Sequence, residues 1–246
     1  MLVVSGLTKR FADQTVFADF SFTVPPNGVT VLLGPSGCGK STLFDVLTGV
    51  VPGDGGTISW CGKELTHLGR SAAYMQQKDL LLPWFTLMEN ALLPARIGGS
   101  DLAGARRRAG RLFKRLGLAG FEDFRPSKVS GGMRQRCALV RTLMFDHDLV
   151  LLDEPLSALD AITRQSLQSL LLLLQSEFGK SLLMITHDIE EALLLADTLL
   201  VVSPMPMQVG EQFVLSQPKP RSVSDPELLR LKEHVWERLQ GDMDHG

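Results

Sequence analysis

The residues Gly34, Gly39, Lys40 and Ser41 have the types and the spacing that bind a phosphate chain. They fill the pattern G-x-x-x-x-G-K-[ST], and the same loop contains Pro35, Ser36, Gly37, Cys38 and Thr42. Glycines lack a Cβ, so backbone N–H groups can approach phosphate oxygens, and the helix that follows points its positive end at the anion. Lys40 adds charge near the β- and γ-phosphates, and the Ser41 hydroxyl is a ligand for Mg²⁺. The stretch predicts a nucleoside-triphosphate site, since a chance match is expected in about one chain in a hundred of this length.

A second candidate group lies where two apolar runs end. Asp153 and Glu154 follow the apolar residues 149–152, and His187 follows the apolar residues 182–185. Open α/β sheets bind their ligands at the carboxyl ends of the strands. There Asp153 can hold Mg²⁺ and Glu154 can take a proton from water. The alternative is an acidic turn at a strand end, which is the lesser interpretation beside a phosphate loop.

Two further features are weaker by themselves. Ser130, Gly131 and Gly132 form a turn that runs into an apolar-periodic helix, so its free backbone donors offer a second anion site. Taken alone, however, an ordinary capped turn explains this tripeptide better. Phe11 is a lone aromatic residue between two strand-like segments, and packing in the core and stacking on an adenine base are about equally good interpretations.

The elements that must position these groups are short buried strands alternating with helices. Residues 29–33, 71–75, 149–152, 182–185 and 198–202 are apolar runs typical of strands, and residues 40–49 and 161–178 predict helices. Residues 3–7 and 16–24 alternate apolar and polar side chains like an antiparallel pair, with Lys9, Arg10 and residues 12–14 in the turn between them. Residues 208–215 complete a hairpin with the preceding strand. The pattern predicts an α/β fold with additional antiparallel strands.

Helical periodicity replaces the strand patterns between residues 86 and 145. Asp101 can cap a helix there, and the apolar positions of this helix are Leu102, Ala105, Ala109, Leu112, Phe113 and Leu116. Residues 217–224 are rich in proline and lysine, and a final helix follows them. We therefore expect three units: a nucleotide-binding core of residues 1–85 and 146–216, a helical insertion of residues 86–145, and a linker with a C-terminal helix in residues 217–246.

Composition narrows the classes of function. The chain has 246 residues and a net charge of −2, which argues against a nucleic-acid partner. The three cysteines are far apart and match no metal-ligand spacing, which favours a reducing compartment. No apolar run reaches the roughly 18 residues that span a bilayer, and the N-terminus lacks signal-peptide features. We expect a cytosolic protein whose membrane connection comes through a partner.

Taken in chain order, these motifs closely resemble those of the ATP-binding subunits of ABC transporters, over nearly the whole chain. Residues 34–42 resemble the Walker A loop, residues 149–154 the Walker B strand and residues 157–160 the D-loop. The resemblance implies an α/β fold with a RecA-like P-loop NTPase core, an antiparallel β subdomain and an inserted α-helical subdomain. The bound molecules that it implies are ATP and Mg²⁺.

Single residues match the remaining motifs of this family. Residues 130–132 resemble the signature motif, although Val129 replaces the usual leucine and Met133 stands where glutamine is common. His187 matches the switch histidine, and Phe11 matches the aromatic A-loop position. Gln77, six residues before Pro83, matches the Q-loop glutamine, with the adjacent Gln76 as the alternative.

The resemblance also implies roles for these residues in a site shared by two subunits. Glu154 deprotonates water, His187 and Gln77 contact the γ-phosphate region, and the metal ligands are Ser41, Asp153 and Gln77. The serine and glycines of residues 130–132 of one subunit close over the phosphate that Lys40 of the other holds. Asp160, in the D-loop, belongs with the nucleotide-contacting residues.

The implied partners are a second ATP-binding subunit, with a homodimer expected, and integral membrane permease subunits. A periplasmic or lipoprotein solute-binding protein acts indirectly, and the chain lies peripherally at the cytoplasmic face of the inner membrane. Residues 79–90 are similar to importers of the nitrate, sulfonate, taurine and pyrimidine type, which favours solute import. The alternatives are the ATPase of an exporter or lipid transporter and, less favoured, a soluble ABC ATPase without a transport role.

Overall fold

The computed structural model describes residues 1–157 and 159–244, and these residues form two β-sheets flanked by helices. The strands are β1 (Leu2–Phe11), β2 (Gln14–Val24), β3 (Val29–Leu33), β4 (Gly55–Trp60), β5 (Lys63–Leu65), β6 (Ala72–Met75), β7 (Leu149–Asp153), β8 (Ser181–Thr186), β9 (Thr198–Val202) and β10 (Val209–Val214). The α-helices are α1 (Lys40–Thr48), α2 (Leu87–Ala91), α3 (Leu93–Ile97), α4 (Leu102–Arg115), α5 (Gly131–Leu143), α6 (Ala161–Ser176), α7 (Ile189–Leu195) and α8 (Pro226–Asp244).

The larger sheet has the strand order β10-β9-β3-β8-β7-β6. Strands β9, β3, β8, β7 and β6 run parallel, and β10 pairs antiparallel with β9 at one edge. Every residue of β3, β7, β8 and β9 is buried, as expected of parallel strands covered on both faces. Because the strands are parallel, the carboxyl ends of β3, β8, β7 and β6 meet along one edge, where the candidate residues follow them.

Alternate residues of the central strands enter two separate cores. In β3, Leu32 packs with the smaller sheet and with Leu43 and Phe44 of α1. Its neighbours Val31 and Leu33 pack on the opposite face, with side chains of α5, α6, α7 and α8. The smaller sheet has the order β2-β1-β4-β5 with antiparallel pairing, so it covers one face of the larger sheet.

Residues 86–145 contain helices and one 3₁₀ turn at Pro126–Lys128. Asp101 caps α4 by accepting hydrogen bonds from the N–H groups of Ala103 and Gly104, which confirms the predicted start of this helix. Ala109 and Phe113 are fully buried, whereas Leu102 is about half exposed because it lies in the first turn of the helix. The predicted apolar face is therefore right apart from its first residue.

The predicted turn between the first two strands is wrong in its extent. Strand β1 continues through Lys9 and Arg10 to Phe11, and only Ala12 and Asp13 separate it from β2. The strand continues because it pairs with β2 as far as Phe11 and Gln14. Asp54 also accepts hydrogen bonds from the Lys9 ammonium and from the Arg10 N–H. Strand β5 was not expected, since it has only three residues, of which Lys63 and Glu64 are charged and exposed.

The C-terminal helix α8 packs back on the larger sheet's core, as predicted, with Leu228 and Val235 fully buried. The preceding segment is anchored by Arg221, which donates hydrogen bonds to the carbonyls of Leu193, Ala196 and Leu215. Within the described part of the chain, every helix is too short or too polar to cross a lipid bilayer.

Candidate active site

The loop after β3 has a shape that only glycine permits at two positions. A Cβ at Gly34 would lie 2.5 Å from Cγ2 of Val202, and one at Gly39 would lie 2.5 Å from Cγ1 of Val16. Gly39 also has a φ of 112°, in the left-handed region. It precedes α1 and provides no side-chain cap, so the first N–H groups of α1 are free to bind an anion.

Lys40 begins α1, and its side chain folds back into this loop. Its ammonium donates hydrogen bonds to the carbonyls of Gly34 at 2.8 Å and Pro35 at 2.7 Å. It also lies 3.7 Å from the sulfur of Cys38, a thiol whose pKa is raised by burial. The lysine is buried, so its positive charge sits within the ring of backbone groups that the sequence assigned to phosphate binding.

Asp153 ends β7 beside Ser41, and its carboxylate is buried. Burial raises the pKa of Asp153, and a hydrogen bond from the Ser41 side chain opposes that rise. Among the described residues, Oδ1 of Asp153 has no hydrogen-bond partner. A buried carboxylate oxygen without a partner, next to a hydroxyl, fits a hard divalent cation such as Mg²⁺, which takes oxygen ligands.

The position of Glu154 is fixed by its backbone and by contacts to both oxygens of its carboxylate. Its φ is 47°, a left-handed conformation that costs about 1–3 kcal/mol for a residue other than glycine. Its N–H donates to the carbonyl of Ile185 at 2.9 Å. Its Oε2 accepts a hydrogen bond of 3.1 Å from Nε2 of Gln77, and its Oε1 lies 3.1 Å from Nδ1 of His187. The structure thus brings together residues that follow three neighbouring strands, β6, β7 and β8.

Several of these groups, among them Lys40, Gln77 and Glu154, line one cavity of about 380 Å³, whereas Asp153 and His187 are not among its lining residues in the described chain. Its walls contain Phe11, Gln14, Val16, Ser36, Gly37, Gly39, Lys40, Ser41, Thr42, Gln77, Glu154 and Met205. Gln77 lies in this wall, whereas the adjacent Gln76 is not among its lining residues in the described chain. Sequence reasoning missed Gln14 and Met205, which meet at 3.6 Å although 191 positions separate them, and no local pattern marks either one.

Phe11 stands at the rim of the cavity, about half exposed. The Lys9 ammonium lies 4.9 Å from the centre of its ring, close enough for a cation–π contact. Phe11 is therefore a surface ring at the cavity and not part of the core.

The turn at residues 130–132 does not line this cavity in the described chain. Ser130 caps α5 by accepting a hydrogen bond of 3.3 Å from the N–H of Met133. Gly131 borders a second cavity, of about 420 Å³, which it shares with Gln77 and Ser157. Gln77 is thus common to both cavities, although the phosphate loop and the turn lie in different ones.

Asp160 is an exposed helix cap. Its carboxylate accepts hydrogen bonds from the N–H of Thr163 at 3.0 Å and from the Thr163 hydroxyl at 2.7 Å. The backbone bond lowers the pKa of Asp160 below its ordinary value. Within the predicted 157–160 motif, Ala158 lies outside the described residues.

Two arginines of α5 hold the segment that follows Gln77. Arg141 donates hydrogen bonds of 2.7 Å to the carbonyls of Asp79 and Leu80, and Arg134 bonds the Asp79 carboxylate at 2.9 Å. Burial lowers the pKa of Arg141. The helix that begins at the 130–132 turn is therefore tied directly to the segment next to the candidate active site.

A larger cavity, of about 470 Å³, lies between α7 and α8. Apolar side chains such as Ile189, Trp236 and Leu239 dominate its walls, and it reaches the site only at Gly34, Pro35 and His187. Lys40, Gln77 and Glu154 line the cavity of about 380 Å³, and none of the three is among the lining residues of this larger one in the described chain. The cavity of about 380 Å³ is therefore the better candidate for a reaction centre.

Comparison with known proteins agrees with this geometry. The model of a family described as ABC transporter matches residues 17–157. The taurine import ATP-binding protein TauB of Yersinia pseudotuberculosis is 38% identical over 243 residues, covering 96% of this chain and 95% of that protein. The protein of the same name from Escherichia coli is 36% identical over 247 residues, covering 97% of each.

Solved structures show the same fold. A dimeric bacterial ABC transporter cassette has a TM-score of 0.81 at 24% identity, covering 89% of this chain and 100% of that one. An ATP-binding subunit of an ABC transporter has a TM-score of 0.80 at 24% identity, covering 98% of this chain and 99% of that one. These likenesses confirm the predicted α/β fold with a P-loop core.

Proposed function

The chain belongs to the ABC transporter family as an ATP-binding, ATP-hydrolysing subunit, and on this premise we propose that it powers import of a small sulfonate through a membrane permease. The observation that best supports ATP hydrolysis is that Gln77 and His187 both contact the Glu154 carboxylate beside the phosphate loop. The sulfonate class is supported by two relatives, similar over nearly their whole length, whose names specify taurine import.

In this proposal, the loop residues bind the triphosphate through their backbone N–H groups, and Lys40 exchanges its carbonyl partners for phosphate oxygens. Glu154 orients a water molecule and takes its proton as the water oxygen bonds to the γ-phosphorus. The bond from that phosphorus to the bridging oxygen breaks, and the products are ADP and inorganic phosphate. His187 and Gln77 hold the carboxylate in place, so the reaction relies on positioned charges and hydrogen-bond donors.

Mg²⁺ fits the buried carboxylate of Asp153, with Ser41 and Gln77 as the other protein ligands, and it neutralises charge on the phosphates when bound. The adenine base is proposed to stack on Phe11, whose ring is exposed at the cavity rim. Its other neighbour, the Lys9 ammonium, is held by Asp54 and by the carbonyl of Pro52, so the platform is stiff.

We further propose that each reaction centre is completed by a second subunit, an identical copy. The support is that Lys40 and the 130–132 turn border different cavities, so one chain does not enclose the phosphates alone. A Cβ at Gly131 would meet only the guanidinium of Arg134 among the described residues, at 3.6 Å. Packing within the chain therefore does not require this glycine, and close approach of another molecule explains it better. Asp160 is proposed to lie at the same subunit boundary.

Mixing two inactive variants tests this shared site. Lys40→Ala removes the phosphate-binding lysine from both centres of a homodimer, and Ser130→Arg blocks the 130–132 turn of both chains. A dimer with one chain of each kind keeps one intact centre, in which Lys40 comes from one chain and Ser130 from the other. We expect the mixture to recover up to about a quarter of wild-type turnover, since random pairing makes half of the dimers mixed. Centres built within one chain would give no recovery.

The membrane partner is proposed to bind near Leu80 and Trp84, which are exposed beside the segment held by Arg141. This would place the chain peripherally at the cytoplasmic face of the inner membrane, with a periplasmic or lipoprotein binding protein acting only through the permease. The three units expected from the sequence are retained as a proposal: a core of residues 1–85 and 146–216, a lobe of residues 86–145, and residues 217–246.

Uptake by a host that lacks this chain tests the transport role. Deleting its gene is expected to abolish uptake of radiolabelled taurine or a related alkylsulfonate. Wild-type protein should restore uptake, and Glu154→Gln should not, although it folds and binds ATP. Unchanged uptake combined with slower efflux of a preloaded solute would favour the exporter alternative instead.

A further inference from the structure

Glu191 on α7 is a buried acidic residue outside the assigned site, and two side chains contact its carboxylate. Its Oε2 accepts a hydrogen bond of 2.8 Å from the hydroxyl of Thr186, and its Oε1 lies 3.8 Å from Nε of Arg164. The residue is only 5% exposed, and burial raises the pKa of its carboxyl. Leaving a buried charge without its partner is strongly destabilising, so the Glu191 carboxylate favours positions of Thr186 and Arg164 close to it.

The hydrogen bonds of Glu191 involve the residues on both sides of His187, the switch histidine. The Thr186 hydroxyl that donates to Glu191 also accepts from the N–H of Asp188 at 3.1 Å. The Asp188 carboxylate in turn accepts from the N–H of Glu191 at 3.1 Å. The backbone is thereby fixed on both sides of His187, whose Nδ1 contacts Glu154.

Arg164 connects this hydrogen-bond network to the segment before α6. Its guanidinium donates a hydrogen bond of 3.3 Å to the carbonyl of Leu159, which precedes the helix cap Asp160. A cavity of about 140 Å³ has walls from Glu154, Ser157, Arg164, His187 and Glu191. Ser157 and His187 therefore line the same small cavity, and Arg164 contacts both Glu191 and the carbonyl of Leu159.

We propose that Glu191 and Arg164 are a positioning pair that holds His187 against Glu154 and links this contact to Leu159, just before α6. The inference rests on the proposed ATP hydrolysis and adds residues that act through His187 without touching the substrate. Thr186 is the third member, because its hydroxyl transmits the position of Glu191 to the backbone around His187.

The first test compares Glu191→Ala with Thr186→Val in the purified full chain. Each is expected to lower kcat for ATP hydrolysis by about tenfold to a hundredfold, with KM for ATP changed less than about twofold, because a misplaced His187 affects the reaction more than binding. The double variant should be no worse than the poorer single variant, since the two residues act as one unit. Glu191→Gln keeps an acceptor for Thr186 and should retain most of kcat.

Glu190→Ala is the matched control, because the side chain of this neighbouring glutamate is about half exposed and pairs with Lys232 instead. It is expected to hydrolyse ATP like the wild type. Normal kcat in Glu191→Ala, additive losses in the double variant, or a loss confined to KM would each overturn the proposal.

A second test separates positioning from simple loss of packing. Arg164→Met leaves Glu191 buried without its counter-charge and should lower kcat, whereas Arg164→Met combined with Glu191→Gln removes the unpaired charge and should recover much of the loss. No recovery would contradict the pairing. Glu154→Gln is measured in parallel: if it stays active the proposed reaction itself fails, whereas inactive Glu154→Gln beside active Glu191→Ala refutes only the positioning pair.

Discussion

Nδ1 of His187 lies 3.1 Å from Oε1 of Glu154, across the ends of two adjacent parallel strands. The second oxygen of the same carboxylate accepts a hydrogen bond from Gln77, which follows the next strand, β6. The proposed base is therefore held by both of its oxygens, and a change in either neighbour reorients it. This arrangement gives the first prediction.

Glu154→Gln should bind ATP but hydrolyse it slowly. The amide keeps the shape of the carboxylate but does not accept a proton from water, so we expect kcat to fall by about a hundredfold or more. Equilibrium binding of a fluorescent ATP analogue and release of inorganic phosphate measure the two properties. The exposed Glu233→Gln on α8 serves as the control, and near-normal turnover in Glu154→Gln would remove Glu154 from its role.

Lys40→Ala should lose ATP affinity. The lysine ammonium lies inside the phosphate loop, and its removal takes away both a charge and the donor to two loop carbonyls. We expect Kd for ATP to rise by about a hundredfold, the scale of a strong charge-assisted contact. Exposed Lys63→Ala is the control for loss of one positive charge. An unchanged Kd in Lys40→Ala would refute the role of Lys40 in phosphate binding.

The sequence was sufficient for groups that are consecutive along the chain. The phosphate loop and the apolar strands that lead to Asp153 and His187 are local patterns, so their positions at one sheet edge follow from parallel pairing. Contacts between distant segments were not predictable in the same way. Asp54 accepts hydrogen bonds from Lys9 and Arg10 at the end of β1, yet no sequence pattern pairs it with that strand.

The same limit explains why the helical lobe's connection to the site was missed. Arg141 and Leu80 are 61 positions apart, and their hydrogen bond depends on how α5 packs against the segment after β6. The periodicity of α5 indicated a helix, but not which face its arginines present to that segment. The Thr186–Glu191 bond is local, yet a buried glutamate in a helix gives no sequence pattern distinct from an exposed one.

Phe11→Ala should weaken ATP binding without preventing hydrolysis. Stacking of a base on an aromatic ring is worth about 1–3 kcal/mol, so Kd for ATP should rise by about fivefold to a hundredfold. Phe11→Trp should restore the affinity, because a larger ring preserves the platform. The exposed Phe178→Ala is the control, and equal affinities of Phe11→Ala and wild type would show that the ring does not contact adenine.

Arg141→Met should weaken the link between α5 and the segment after Gln77. Two carbonyls lose their donors, which lowers the free energy of unfolding by about 1–3 kcal/mol. Basal hydrolysis by the purified chain should persist, whereas stimulation of ATPase activity by the reconstituted permease should fall. Urea unfolding and the ratio of stimulated to basal turnover measure these effects, with exposed Arg106→Met as control. Full stimulation in Arg141→Met would mean that this link does not transmit the signal.

Asp153→Asn should change how stability depends on pH when Mg²⁺ is removed with EDTA. Burial raises the folded-state pKa of Asp153 above its ordinary value of 3.8. Between those two pKa values the folded chain holds more protons than the unfolded chain, so the free energy of unfolding falls as pH rises. Asparagine has no proton to lose at this position. The Tm of wild type minus that of Asp153→Asn should therefore decrease as pH rises from about 4, where the unfolded aspartate titrates.

Adding Mg²⁺ at neutral pH should raise the Tm of wild type more than that of Asp153→Asn. The charged Asp153 carboxylate, whose Oδ1 has no hydrogen-bond partner among the described residues, gains a cation, whereas asparagine binds it poorly. Thermal unfolding with and without Mg²⁺ measures both effects, and the exposed Asp123→Asn controls for net charge. A Tm difference that stays constant with pH, together with equal Mg²⁺ stabilisation of both proteins, would exclude Asp153 as the metal ligand.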